Sequence, residues 1–358
     1  MEKLFIVHRA QFGYHTDIYK WCEYLHDSYY INLLCFNDGK TKYRMDNVDV
    51  HYVYGKGWKI VRWLCFLMMC FIHLSLFKGI IIVSHFSESR LLKRIMPWKK
   101  MILDIRTFSV HPDENVRKTE NAKLFKSVAL YDYVTVISDG LRKQLPKESD
   151  KTAVLPLGGD VIDLPSKKYD RLDLLYIGTF YNRCLENTIQ GFSIAKKQLK
   201  DVKIVYHIVG NGTHGEDEML KSLCKELNIE NDVIFYGRQP HNELIRFFEK
   251  CNIGVSYVPI VPYYEYQPVT KTFEYIMAGL YTIATATKCN VEVINENNGC
   301  LIEDNANSFA DAIIKTAQSR YCINDAIVRK SLEEYDWRTI VNNKMKPILH
   351  DVYEKIYS

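Results

Sequence analysis

Short runs of β-type residues alternate with helical patterns along almost all of this 358-residue chain. In the first half the β-type runs fall at 4–8, 30–36, 51–53, 80–85, 101–105, 133–137 and 152–155, and the helical patterns between them include 16–26, 61–77 and 121–130. Such alternation predicts parallel sheets covered by helices, because a parallel return needs a crossover long enough to hold a helix. The pattern stops at the polar stretch Leu164-Pro165-Ser166-Lys167-Lys168-Tyr169, and a second series begins at 172–177. It continues at 202–209, 233–236, 254–257, 281–284 and 299–302. The expected architecture is α/β with two Rossmann-like domains, 1–165 and 166–335, followed by a final helix over 336–358. Two doubly wound domains of similar size are expected to face each other across a deep cleft, with ligands at the carboxyl ends of the strands.

Composition narrows the function classes. The hydrophobic fraction of 47% with 25% charged residues is that of a globular protein, which argues against bulk disorder. A net charge of +4 is too mild to argue for nucleic acid, and it suits a protein that handles anionic ligands near an anionic membrane. The ten cysteines are scattered, with no CxxC pair and no Cys/His cluster at zinc spacing, so they read as reduced core residues in a cytoplasmic setting. The first residues read as a β-strand rather than a signal peptide. Residues 63–77 are almost wholly apolar, with Lys56, Lys59 and Arg62 before them and Lys78 after. That run is short for a bilayer span. Three readings stay open: a buried core helix, peripheral contact of residues 56–78 with the inner face of the cytoplasmic membrane, or a true span.

Four stretches carry chemistry. In Tyr176-Ile177-Gly178-Thr179-Phe180-Tyr181-Asn182-Arg183 a strand runs into a glycine and then an arginine ahead of a helical pattern at 187–197. Gly178 and Thr179 allow close approach of a ligand to backbone, and Arg183 offers a fork matched to phosphate oxygens. The plainer reading is a turn glycine beside a solvated arginine. Gly210 opens a glycine-rich turn, Val209-Gly210-Asn211-Gly212, which lacks the full dinucleotide fingerprint. Gly237, Arg238 and Gln239 close the next strand, where backbone is placed to pair with the edge of a base. In Thr270-Lys271-Thr272-Phe273-Glu274, Lys271 and Glu274 share one face of a short helix. A pyrophosphate there meets Thr270, the Lys271 ammonium and the helix N-terminus, and Glu274 has the acceptors for two ribose hydroxyls. The plainer reading is an ion pair one turn apart.

The string Thr270–Gly279, with Lys271, Phe273, Glu274, Tyr275, Met277, Ala278 and Gly279, resembles the KxFEYMAxG signature of retaining glycosyltransferases of family 4, which have the GT-B fold. Tyr176-Ile177-Gly178-Thr179, Val209-Gly210-Asn211-Gly212, the strand and glycine at 233–237, Cys251-Asn252-Ile253-Gly254-Val255-Ser256, Tyr133-Val134-Thr135-Val136-Ile137-Ser138, Leu155-Pro156-Leu157-Gly158-Gly159-Asp160 and Tyr335-Asp336-Trp337 are similar to other family pieces in the same order. The resemblance implies that Glu274 holds the ribose of a UDP- or GDP-sugar, that Lys271 and Arg183 stabilise its diphosphate as it leaves, and that the backbone near Arg238 and Gln239 flanks the base. It implies no metal or other cofactor, and a final helix that crosses back onto the first domain. The pattern departs at Tyr266, where a glutamate is frequent and Glu265 stands one place off, and after Arg183, where no lysine follows.

The first domain is then expected to hold the acceptor, a glycan or lipid-linked hydroxyl. Gly13 and Tyr14 lie on the turn after the first strand, and His85 ends the strand at 80–85. Met101-Ile102-Leu103-Asp104-Ile105-Arg106 resembles a YDIRD segment of some family members and offers Asp104 and Arg106. The function implied is retaining sugar transfer in cell-surface polysaccharide or glycolipid synthesis. A nucleotide-sugar epimerase and a catalytically silent subunit of the same fold are the alternatives.

Overall fold

The computed structural model describes residues 1–54, 57–146, 151–240 and 243–357. They form two compact units, one made of Met1–Leu157 with Trp337–Ser358 and the other of Gly158–Asp336. The division falls ahead of the polar stretch that marks the boundary in sequence. Leu164 and Tyr169, within that stretch, are both buried in hydrophobic clusters of the second unit.

The first unit is built on a seven-stranded sheet. Its strands are β1 (Glu2–Val7), β2 (Tyr29–Asn37), β3 (Val48–Tyr54), β4 (Ile80–Ser84), β5 (Ile102–Ile105), β6 (Tyr133–Val136) and β7 (Thr152–Val154), in the order β3-β2-β1-β4-β5-β6-β7. Every ladder between neighbours is parallel. Helices cover both faces, so central strands are apolar throughout, and all five residues of β4 (Ile-Ile-Ile-Val-Ser) are buried. The helix expected at 121–130 in fact spans Glu114–Val128, because Asp113 caps it by accepting from the backbone N–H of Asn115 at 2.8 Å and Val116 at 3.0 Å.

The second unit has six strands, β8 (Leu172–Thr179), β9 (Ile204–Asn211), β10 (Val233–Phe235), β11 (Ile253–Ser256), β12 (Tyr281–Thr285) and β13 (Gly299–Ile302). Their order is β10-β9-β8-β11-β12-β13, again parallel throughout. Alternate residues of β8 feed opposite layers. Leu172, Leu174 and Tyr176 pack with Ile189, Phe192 and Phe309, while Leu175 and Ile177 pack with Leu244, Phe247 and Tyr275. Buried polar groups at the amino end of β8 are satisfied within the core: His207 bonds Asp173 at 3.0 Å and the Tyr236 hydroxyl at 2.9 Å. That network is structural and stands at the opposite end of the strand from Gly178 and Thr179.

Both strand orders reverse direction once, between β1 and β4 in the first unit and between β8 and β11 in the second. Connections leave to opposite faces at such a point, which opens a crevice beyond the carboxyl ends of the strands. These two places are where ligand chemistry is expected.

Candidate functional site

In the second unit three glycines meet at the carboxyl ends of adjacent strands. Gly178 of β8 is in register with Gly210 of β9, and the Gly210 N–H donates to the carbonyl of Gly237 at 2.9 Å. Gly210 has φ +142°, and a Cβ there would fall 1.8 Å from the Gly178 carbonyl oxygen, so the two strand ends approach as only glycine permits. Thr179, exposed, pairs with Asn211, and its hydroxyl accepts from the Tyr181 N–H at 3.3 Å.

The loop after β8 is strained. Asn182 and Cys184 both sit in the left-handed region, at φ 56° and 52°, which costs on the order of 1 kcal/mol per non-glycine residue. Arg183 lies between them. Its guanidinium stacks on the Tyr264 ring at 4.6 Å, and its Nη1 is buried with no hydrogen-bond partner. Hydrogen bonds hold the loop to the segment carrying Tyr264, among them Asn187 Nδ2 to the Tyr257 hydroxyl at 3.0 Å, Asn182 Nδ2 to the Tyr263 hydroxyl at 3.4 Å, and the Tyr264 hydroxyl to the Asn182 carbonyl at 3.3 Å. Strain sustained by surrounding contacts, with a buried donor left open, is the arrangement expected where a ligand completes the bonding.

The helix Thr270–Met277 is docked to the same strand end. The buried Tyr275 hydroxyl accepts from the Ile177 N–H at 2.7 Å, and Gly254 makes room for its ring. Thr272 bonds Ser256 at 2.6 Å and Asn290 at 3.1 Å. With Thr272, Phe273 and Tyr275 buried, Thr270, Lys271 and Glu274 are left on the partly open side. Lys271 and Glu274 hydrogen-bond one another there. Arg238 is exposed, and Gln239 folds back, donating to the Tyr236 carbonyl at 2.7 Å and accepting from Arg246 at 2.7 Å. Glu265 accepts from the N–H of Lys288 at 2.9 Å and so holds the start of the helix Lys288–Val293.

In the first unit a cavity of about 600 Å³ lies beyond β1, β2, β4 and β5. His85 lines it, together with His8, Arg9, Phe36, Arg62 and Lys123. The guanidinium groups of Arg9 and Arg62 stack on Phe36 at 5.8 and 4.8 Å. The other acceptor-side residues do not line this cavity. Gly13, at φ +90°, lies against the Tyr43 ring, and Tyr14 packs at 5.8 Å from that ring with Lys40 4.5 Å above it. Asp104 and Arg106, expected on the acceptor side, are likewise absent from its lining: Asp104 is fully enclosed and bonded to Thr135 at 2.8 Å. Arg106 is committed to Asp17 at 2.6 Å and to the Leu155 carbonyl at 2.7 Å. This pair braces the sheet. Arg9, Arg62 and Lys123 were not legible as a group, because they come from three separate elements.

Burial keeps the cavity's histidines neutral: His8 is pushed down to about 3, with help from His15 and Arg9, and His85 to about 4. A folded-state value below the ordinary 6.5 means that stability is fully present above pH 6.5 and is lost as pH falls toward 4 and then 3. Asp104, raised to about 6 by burial against the pull of Arg106 and Thr135, acts with the opposite sign and favours the fold as pH falls below 6. The two senses separate in a difference measurement. Thermal melts of His85→Asn and the parent are expected to diverge between pH 6.5 and 4, the parent losing on the order of 2–3 kcal/mol more. Parallel pH profiles would show that His85 titrates freely.

Two doubly wound units with their ligand-type features at the switch points make this a chain with the GT-B fold. Similar solved structures agree. Sucrose-phosphate synthase from Thermosynechococcus elongatus matches with a TM-score of 0.78 and 16% identity, over 99% of this chain and 100% of that one. HepE of Anabaena in complex with UDP and glucose matches with a TM-score of 0.76 and 12% identity, over 98% and 100%. A TarM variant of S. aureus in complex with fondaparinux, alpha-GlcNAc-glycerol and UDP matches with a TM-score of 0.70 and 12% identity, over 100% of both chains. A search of curated protein sequences finds no match. Residues 165–335, most of the second unit, match the family model described as Glycosyl transferases group 1.

Proposed function

We propose that this chain is a retaining glycosyltransferase that moves a sugar from a UDP- or GDP-sugar to a hydroxyl of a glycan or lipid-linked acceptor. The observation that carries the reading is the Arg183 guanidinium, held on a strained loop with Nη1 unpartnered, at the strand end where the Lys271–Glu274 helix also docks. The leaving group of such a transfer is a nucleoside diphosphate, so the main demand is to stabilise charge growing on its β-phosphate. Arg183 and Lys271 supply that charge electrostatically, and the reading needs no metal. Without donor, Lys271 and Glu274 satisfy one another. A diphosphate competes for the ammonium and leaves the Glu274 carboxylate to accept from the ribose hydroxyls. Among the described residues no protein nucleophile paired with a base is evident beside these cations, so retention in this reading proceeds by front-face attack. UDP in two proteins of the same fold supports UDP as the donor nucleotide. The cavity of the first unit, with its polar and cationic lining, is the reading's acceptor site.

The test is calorimetry and thermal shift with UDP, GDP, ADP and their sugars, with Glu274→Ala alongside. One nucleotide is expected to stabilise the parent, and Glu274→Ala to weaken it by roughly 10–100-fold through loss of charge-assisted hydrogen bonds. Folded protein that responds to no nucleotide would overturn the donor site.

A further inference from the structure

The helix Lys59–Leu76 packs one side onto the first sheet and leaves the other bare. Phe66, Leu67, Cys70 and Leu74 are buried, whereas Leu64, Met68, Ile72 and Leu76 are exposed at four-residue spacing. They form a stripe opposite the packed side. A surface helix ordinarily turns polar residues outward. Here the helix has a mean hydropathy of 1.6 and only 22% of it is buried. Exposed tryptophans stand near both ends: Trp58 caps the N-terminus at 85% exposure, and Trp98 lies beside Lys99, whose ammonium donates to the Phe77 carbonyl at 2.8 Å. Lys56 lies outside the described residues.

The charges carried around this stripe are predominantly positive. From residue 59 to residue 100 the chain has eight lysines and arginines and a single carboxylate, Glu88, which pairs with Arg9 at 3.6 Å; Asp132, from outside this stretch, pairs with Lys93 at 2.6 Å and Lys100 at 3.3 Å, and the other cations outnumber the carboxylates. Lys59 and Arg62 stand at one end of the helix, and Lys78, Lys99 and Lys100 beyond the other. A second copy packed on this stripe, in either direction, would bring basic ends against basic ends. An apolar band bounded by cations and tryptophans instead complements the acyl boundary and anionic headgroups of a bilayer. The inner side of the helix belongs to the core, with Phe66 against Phe36 at 4.6 Å and Phe86 at 5.8 Å. The helix therefore cannot cross a membrane without dismantling the unit it packs on.

We propose that the outer face of helix Lys59–Leu76, with Trp58 and Trp98, docks flat on an anionic lipid surface. Arg62 belongs both to the basic end of this face and to the lining of the first unit's cavity, so docking sets that cavity beside lipid headgroups. The inference does not rest on the donor reading, and its test uses neither nucleotide nor turnover. The full chain is sedimented with phosphatidylcholine vesicles that contain or lack phosphatidylglycerol. It is expected to bind the anionic vesicles roughly tenfold better than the neutral ones. The exposed triple variant Leu64→Gln, Met68→Gln, Ile72→Gln, with an unchanged melting temperature, is expected to lose about tenfold or more. Double reversal by Lys59→Glu and Lys78→Glu is expected to abolish the preference for phosphatidylglycerol. Failure to bind anionic vesicles, or binding indifferent to the triple variant, overturns the proposal. So does a stable dimer that the triple variant dissociates, or binding that resists alkaline carbonate and yields only to detergent, as a span would.

Discussion

Arg183→Ala is expected to lower kcat of sugar transfer by roughly 10²–10³ while weakening donor binding far less. The expectation follows from what holds the guanidinium before any donor arrives. Tyr264 stacks on it at 4.6 Å, the loop is fixed through Asn187 and Asn182, and Nη1 has no partner. The ordering of a long side chain and the strain at Asn182 and Cys184 are thus met by the folded protein, not by the reaction. A preorganised charge of this kind acts mainly where charge grows, on the β-phosphate of the departing nucleotide, so its loss appears in kcat more than in KM. Arg183→Lys retains the charge without the planar fork that stacks on Tyr264, and is expected to recover only part of the rate. The check is initial-rate kinetics with the nucleotide identified by calorimetry, beside nucleotide affinity for each variant. Equal losses in affinity and in kcat/KM, with kcat unchanged, would make Arg183 a binding residue only. Unchanged kinetics would remove it from the site and leave the strain of its loop without a ligand to explain it.

The fold was legible because burial imposes a pattern on neighbouring residues. Each of the thirteen strands expected from alternation is present, in runs such as Ile80-Ile81-Ile82-Val83 that only a sheet covered on both faces keeps wholly apolar. The start of the helix Glu114–Val128 was less legible, because its first turns are polar and are fixed by one Asp113 carboxylate rather than by a hydrophobic stripe. The same contrast runs through the site. Gly178, Gly210 and Gly237 each end a strand, so a local pattern locates them, and parallel register brings them together. Asp104 and Arg106 also end a strand, yet the pattern cannot show that Arg106 meets Asp17, 89 residues away in sequence. The cationic lining of the first unit's cavity comes from a loop after β1 and two different helices, a convergence that topology alone creates. The apolar run at 63–77 was equally ambiguous in sequence. Core helices and membrane-facing helices share that composition, and only the sheet on one side of the helix distinguishes its two faces.

The close approach of β8 and β9 makes a second large effect predictable, on stability. Gly210→Ala places a methyl group 1.8 Å from the Gly178 carbonyl oxygen and imposes a side chain on a residue at φ +142°, a region that is essentially glycine's alone. Relief requires the strand ends to spread, which stretches the Gly210-to-Gly237 hydrogen bond and the one from Phe180 to Asn211. Backbone strain and overpacking together are expected to destabilise the second unit by on the order of 3–5 kcal/mol. Gly237→Ala supplies the control within the same cluster. Gly237 also has positive φ, at +65°, but nothing lies within 4 Å of where its Cβ would stand. Its substitution should cost only the left-handed backbone term, about 1–2 kcal/mol. Urea unfolding of the two variants and the parent measures the difference directly. A much lower midpoint for Gly210→Ala than for Gly237→Ala supports a packed strand junction that holds the Arg183 loop and the Lys271 helix against one strand end. Equal midpoints would mean that the junction spreads at little cost, and a rigid donor site could not then be built on it.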